Sequence, residues 1–241
     1  MTRTPSLIAL AAAVLLAIPL SARAQESEDA NVATPFNGKN LEGWTFKEPK
    51  DRSHWTVGFP KMSEENAREL TVADTGEGAP ALVNSESRGV DAYTTEKYGD
   101  CTISLDFMVP QGSNSGIYVM GEYEIQILDS YGRERLRPGD LGGLYNAAAP
   151  KTNASKEPGT WQTFVIEFQA PRFENGEKTA NAVFKKVTLN GEVIHENVEM
   201  KGPTPTGVSG KEAETGPLMF QGDHGPVAYR NIKITPTGGA E

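Results

Sequence analysis

The chain has 241 residues, a formal net charge of −9 and one cysteine, Cys101. The acidic balance disfavours nucleic acid and anionic lipid as partners. A single cysteine excludes an internal disulfide, so the fold must rest on its apolar core.

Arg3 precedes an unbroken apolar run over residues 7–20, and Ser21-Ala22-Arg23-Ala24 follows. A positive start, an apolar stretch and small residues at the A-x-A positions predict a secretory signal peptide cut after Ala24. The run falls short of the ~20 apolar residues of a membrane-spanning helix. The expectation is an exported protein, periplasmic or extracellular, with no membrane attachment after cleavage. Residues 25–34 are polar and acidic and read as a disordered leader. Residues 35–236 read as one domain without linker or repeat, and 237–241 as a tail.

The chain's 25 glycines and 16 prolines, nearly all of them in the domain, break it into short apolar runs with little helical periodicity. This predicts an all-β sandwich or barrel. Strands are expected at 54–59, 69–73, 100–109, 116–120, 123–128, 160–169, 186–189, 192–195, 216–221 and 227–234. Residues 116–120 and 123–128 read as a hairpin turning at Gly121-Glu122, and Asn190-Gly191 is the strongest hairpin signal in the chain. Only 63–69 looks helical. Cys101 heads the alternation Cys101, Ile103, Leu105, Phe107 and is expected to be a packed, inert thiol. Trp161 shares a strand face with Val165 and reads as core. Two long loops remain, 131–158 and 200–215. The first carries Tyr131, Arg133, Arg135, Arg137 and Tyr145 and is the better functional candidate.

Two segments could carry chemistry. On a regular strand over 123–128, Tyr123, Ile125 and Ile127 face the core, so Glu124 and Gln126 face the other way. A bulge near Leu128 would bring Asp129 to the side of Glu124, making a carboxylate pair of the kind glycosidases use. The bland alternative is a solvated sheet face with Asp129 capping a turn. The second segment, 220–231, holds His224 in a turn and Arg230 on the strand after it. An imidazole there suits acid–base work, and a guanidinium suits a carboxylate or carbonyl; a turn histidine bonded to backbone is the alternative. His54 and His195 have no partner at metal-ligand spacing. Zinc, EF-hand, P-loop and nucleophile-elbow signatures are missing. A divalent cation held by loop oxygens stays open, and no cofactor is otherwise indicated.

A series of short motifs runs in order along the chain: Phe36-Asn37-Gly38-Lys39-Asn40-Leu41-Glu42-Gly43-Trp44, Asn114-Ser115-Gly116-Ile117, Tyr123-Glu124-Ile125-Gln126-Ile127-Leu128-Asp129, Gly143-Leu144-Tyr145, Pro158-Gly159-Thr160-Trp161, Leu189-Asn190-Gly191, Gly216-Pro217-Leu218, His224-Gly225-Pro226-Val227 and Tyr229-Arg230-Asn231-Ile232-Lys233-Ile234. Together they resemble the 3-keto-disaccharide hydrolase domain family. The resemblance implies a concanavalin A-like jelly-roll sandwich of two curved antiparallel sheets. It also implies cleavage of glycosides oxidised at C3, by hydrolysis or by elimination and hydration. The chain departs from the family at Tyr229, where Phe is usual, at Gln162, where Asn is usual, and in a longer 173–186 segment.

Such chemistry needs a base for the C2 proton, a group that stabilises the enolate oxygen and an acid for the leaving group. On this reading Glu124 or His224 supplies the base and acid. Arg230 or a bound cation stabilises the oxyanion. Asn114, Tyr118, Gln126, Asp129 and Tyr145 bind the carbohydrate. Two other readings compete: a non-catalytic carbohydrate-binding module, and a laminarinase-like glycosidase. Gln126 and Asp129 fit the glycosidase's Glu-x-Asp-x-x-Glu strand poorly.

Overall fold

A computed structural model describes residues 32–237; the expected signal peptide and most of the leader lie outside the described residues. Fifteen strands, numbered β1 to β15 in chain order, make up the described fold, with one 3₁₀ turn at Lys50–Arg52. A five-stranded sheet runs in spatial order through β1 (Trp44–Phe46), β5 (Ala92–Thr94), β14 (Met219–Phe220), β7 (Asn114–Val119) and β8 (Tyr123–Leu128). An eight-stranded sheet runs through β13 (Glu192–Met200), β12 (Ala182–Leu189), β9 (Gln162–Gln169), β6 (Cys101–Met108), β15 (Val227–Pro236), β4 (Ala81–Asn84), β2 (Trp55–Met62) and β3 (Leu70–Ala73). A separate hairpin joins β10 (Arg172–Glu174) to β11 (Glu177–Ala180). Every pairing within the sheets is antiparallel. The architecture is the expected all-β jelly-roll sandwich.

Alternation decides what lies between the sheets. From the larger sheet Ile103, Leu105, Phe107, Phe164, Ile166, Phe168 and Phe184 point inward; from the smaller one Ile117, Tyr123, Ile125 and Ile127 meet them. Tyr123 and Phe168 touch across the gap, with ring centroids 5.5 Å apart. Phe220 of β14 stacks on Tyr229 of β15 at 3.8 Å and 8°, tying the sheets together beside Trp44 and Trp55. Such aromatic pairs contribute about 0.5–1.5 kcal/mol each beyond their buried area. Cys101 is buried in this core, and burial pushes its thiol up to about 12, so it is inert.

The expected strands appear at their positions with shifted ends. Strands β1, β4, β5, β10 and β11 leave no clear mark in the sequence, because runs of three or four residues show too little alternation. Residues 63–69 form no helix: Ser63 Oγ accepts from the amides of Glu65 and Asn66, and Asn66 Oδ1 from Arg68, which holds a turn. Trp161 is not between the sheets. It precedes β9 and packs on the outer face of the larger sheet, beside Met62, Val72 and a small cluster of Leu70, Ala81, Val83, Met108 and Ala228. Ala33 exchanges two backbone hydrogen bonds with Ile234, so the described domain already includes the last residues of the expected leader.

Candidate functional site

The β7–β8 hairpin builds the site. Its register pairs Asn114 with Leu128, Gly116 with Gln126 and Tyr118 with Glu124, without a shift along the ladder. Since Ser115, Ile117, Tyr123, Ile125 and Ile127 take the core side, Asn114, Gly116, Tyr118, Glu124 and Gln126 must share the opposite face. That face is covered rather than solvated: Glu124 is 3% exposed and Gln126 6%.

Both long loops supply the cover. The first adds an edge to β8: Gln126 N donates to Gly143 O, Gly142 N to Gln126 O, and Tyr145 N to Glu124 O. The buried His195 ring shares a 2.7 Å hydrogen bond with Gly142 O, steadying this edge, and burial holds its pKa below the usual histidine value. The second loop wraps the hairpin turn. The Glu122 carboxylate, itself buried, accepts from Ser209 N, Ser209 Oγ and Gly210 N. Glu124 N donates to Thr204 Oγ1 at 2.8 Å, and Tyr118 Oη lies 2.9 Å from Thr206 Oγ1. Lys47 Nζ donates to Thr206 O and pairs with Asp91 at 2.8 Å, while Asp91 Oδ1 accepts from Gly222 N.

That last bond anchors the turn bearing His224. Asn84 Nδ2 donates to the carbonyls of Glu86, Gly222 and Gly225, and Arg88 N to Asp223 O. A Cβ at Gly222 would stand 2.2 Å from Val90 O, so only glycine fits there. His224 Nδ1 is hydrogen-bonded to Asp223 Oδ1.

These elements enclose a cavity of ≈ 150 Å³ lined by Asn114, Tyr118, Glu124, Gln126, Tyr145, Pro205, Thr206, Gln221 and His224. Burial pushes the Glu124 carboxyl up to about 7, while the Tyr118 hydroxyl and the His224 ring pull it down and Asp91 and Asp223 push it up. A carboxyl poised near neutral pH is suited to proton transfer. Asn114 Oδ1 and Gln126 Oε1 are buried and have no hydrogen-bond partner among the described residues. Unpartnered amides in a polar cavity are available to a ligand's hydroxyl groups.

Six of the residues singled out in the sequence therefore meet here: Glu124, His224, Asn114, Tyr118, Gln126 and Tyr145. Two do not. Asp129 is a turn cap: its carboxylate accepts from Gly112 N and Tyr131 N, and the bulge that would have turned it toward Glu124 does not form. Arg230 lies on the far face of the larger sheet. Tyr229 beside it points into the core, so alternation turns Arg230 outward, where its guanidinium rests 3.8 Å from the Trp161 ring centroid and 3.7 Å from Asp106. Gln221, Pro205 and Thr206 join the site without having been expected there. Gln221 lies in the same segment as His224, and the Pro203-Thr204-Pro205-Thr206-Gly207 run is the signal that the second loop holds a defined shape. Among the described residues no group of three or more His, Cys, Asp or Glu side chains is placed to hold a metal ion.

The model of the 3-keto-alpha-glucoside-1,2-lyase-like domain matches residues 32–235, the whole sandwich with its site. The chain belongs to that family. Membership makes this 3-keto-alpha-glucoside-1,2-lyase-like domain a carbohydrate-active one. No curated protein matches it in sequence. Among solved structures, a chain described as a candidate glycosyl hydrolase from Parabacteroides distasonis ATCC 8503 is 24% identical, with a TM-score of 0.62 over 86% of this chain and 84% of its own. A second chain of the same description and organism is 19% identical, with a TM-score of 0.59 over 89% of this chain and 97% of its own. These likenesses establish the shared fold.

Proposed function

We propose that this protein is an exported enzyme that cleaves glycosides oxidised at C3, with Glu124 as the base. The observation that carries the reading is a single buried carboxyl, raised to about 7, in a small polar cavity beside a histidine. A conventional glycosidase needs two carboxyl groups across the scissile bond, and among the lining residues Glu124 is the one carboxylate. A 3-keto glycoside needs only one base, because the ketone acidifies the proton on C2.

Ionised Glu124 takes the C2 proton, and the C2–H electron pair forms the enolate with the C3 carbonyl. The enolate collapses, the C1–C2 double bond forms, and the C1–O bond breaks. The leaving oxygen takes a proton from His224 in its protonated form, which Asp223 orients through Nδ1. Water then adds at C1 and a proton returns to C2, giving the 3-keto sugar and the free alcohol. The amide groups of Asn114, Gln126 and Gln221 face the sugar, and an amide N–H aimed at O3 would stabilise the enolate. Export is supported by the apolar run at 7–20 and the small-residue cut site after it.

The test is turnover of a chromogenic 3-keto-glucoside beside its unoxidised parent, with and without chelator. Cleavage of the keto compound alone, lost in Glu124→Gln, is the expected result. Cleavage of the parent overturns the elimination mechanism. Binding of both compounds without cleavage makes the domain a carbohydrate-binding module.

A further inference from the structure

Lys47 and Asp91 face each other where the β1–β5 ladder ends. The register pairs Phe46 with Ala92, so the next residue of each chain stands opposite the other, and Lys47 N donates to Asp91 O. Opposite residues of an antiparallel pair share a face, and here they bring opposite charges together.

The pair joins two segments that wall the Glu124 cavity. Asp91 is 7% exposed. Its Oδ1 accepts from Gly222 N at 2.9 Å, in the turn that bears His224, and its Oδ2 accepts from Lys47 Nζ at 2.8 Å. Lys47 Nζ also donates to Thr206 O at 2.6 Å. Thr206 Oγ1 lies 2.9 Å from Tyr118 Oη, the hydroxyl that favours ionised Glu124. One carboxylate thus holds the His224 turn directly and the second loop through a single ammonium. An asparagine at 91 could not hold both. With its oxygen kept toward Gly222 N, its NH₂ would meet the Lys47 ammonium, donor against donor.

We infer that Asp91, acting with Lys47, is a positioning residue of this site: it fixes the His224 turn and the 200–215 loop against each other, and so holds acid and base at one spacing. The inference rests on the reading of Glu124 and His224 given above.

The pair also sets opposed charges near the base. The other titratable groups around Glu124 are Tyr118 of β7, Tyr145 of the first loop, Asp223 and His224 of the turn, and Tyr229 of β15. The second loop lines the cavity with Pro205 and Thr206 and adds no charge to its wall. Asp91 and Asp223 oppose ionisation of Glu124, whereas Tyr118 and His224 favour it. Removing the Asp91 charge therefore eases proton loss from Glu124. Removing the Lys47 charge leaves Asp91 uncompensated and hinders it.

The test measures kcat and the pH dependence of kcat/KM on a 3-keto-glucoside. It compares the wild type with Asp91→Asn, Lys47→Met and the double variant. Each single variant should lose ~10-fold or more in kcat, since a misplacement of ~1 Å can cost ~100-fold. The rise of kcat/KM near pH 7 should move to lower pH in Asp91→Asn and to higher pH in Lys47→Met. In the double variant it should return toward the wild-type position while kcat stays low. The Lys47 side chain is 25% exposed, so Lys47→Met remains a test should Asp91→Asn not fold. Unchanged kcat, or profiles that stay in place or move the same way in folded variants, would overturn the positioning role and leave the Glu124 reading intact. A wild type inactive on the keto compound would overturn both.

Discussion

The Glu124 carboxylate occupies the space that a side chain at position 116 would fill: a Cβ on Gly116 would stand 2.5 Å from Glu124 Oε1 and 3.0 Å from the Tyr118 ring. The two residues sit diagonally across the β7–β8 ladder on its cavity face. Gly116→Ala should therefore push the carboxylate aside while the core beneath, built from Ser115 and Ile117, stays packed. Since ~1 Å of misplacement can cost ~100-fold in rate, kcat on a 3-keto-glucoside should fall 10- to 100-fold with a near-normal melting curve. Unchanged kcat would show that the Glu124 position is not critical.

Glu124 also sets a pH signature. Its folded pKa, about 7, lies above the ordinary carboxyl value, so the folded state favours the neutral form. The stabilisation from that form is complete below ordinary carboxyl pH and is lost as pH rises through about 7. Glu124→Gln, which is neutral throughout, should melt like the wild type at pH 4 and more stably at pH 8, by up to ~3 kcal/mol. Wild-type kcat/KM should rise through pH ~7 as the base ionises, and the variant should lose 10²-fold or more. Thermal melts at the two pH values and a pH–rate profile check both; identical melting shifts at pH 4 and pH 8 would contradict the buried carboxyl.

Arg230 is expected to matter for stability and not for turnover. Arg230→Ala removes its stack on Trp161 and should cost about 1 kcal/mol. Turnover should stay within about two-fold of wild type. A 10²-fold loss of kcat in a folded variant would return Arg230 to the chemistry.

Glu122 holds the second loop against the hairpin through three hydrogen bonds to its carboxylate. Glu122→Ala strands those donors and should destabilise the fold by roughly 1–3 kcal/mol. Because Pro205 and Thr206 of that loop wall the cavity, KM should rise as well. Urea unfolding with substrate titration tests this, and a stability loss with unchanged KM would separate the loop from the site.

Tyr229 is a milder case. Its hydroxyl lies 3.0 Å from Ser115 Oγ, which itself donates to Gln221 O at 2.7 Å. Tyr229→Phe leaves that second bond and the stack on Phe220 in place, so the loss should be about 1 kcal/mol. A loss above ~3 kcal/mol, measured by urea unfolding, would show that the hydroxyl organises the sheets.

The face of β8 that carries Glu124 and Gln126 is legible in the sequence, because Tyr123, Ile125 and Ile127 alternate with them and must be buried. The same alternation turns Arg230 away from the core, since Tyr229 precedes it. Alternation names a face, however, and not the sheet to which the face belongs. Only the strand order, with β15 between β6 and β4 in the larger sheet, puts Arg230 on the side away from Glu124. Asp129 needed a bulge that the regular β7–β8 register does not contain.

By itself, then, the sequence determined the class of fold, the core-facing sides of β6 and β8 and the family, since periodicity and ordered motifs are local properties of the chain. The tertiary structure alone decided which side chains share a cavity. Loop 200–215 closes over Glu124 through hydrogen bonds to residues some 80 positions away, and contacts between such distant segments are set by sheet order and loop packing, which no local pattern encodes.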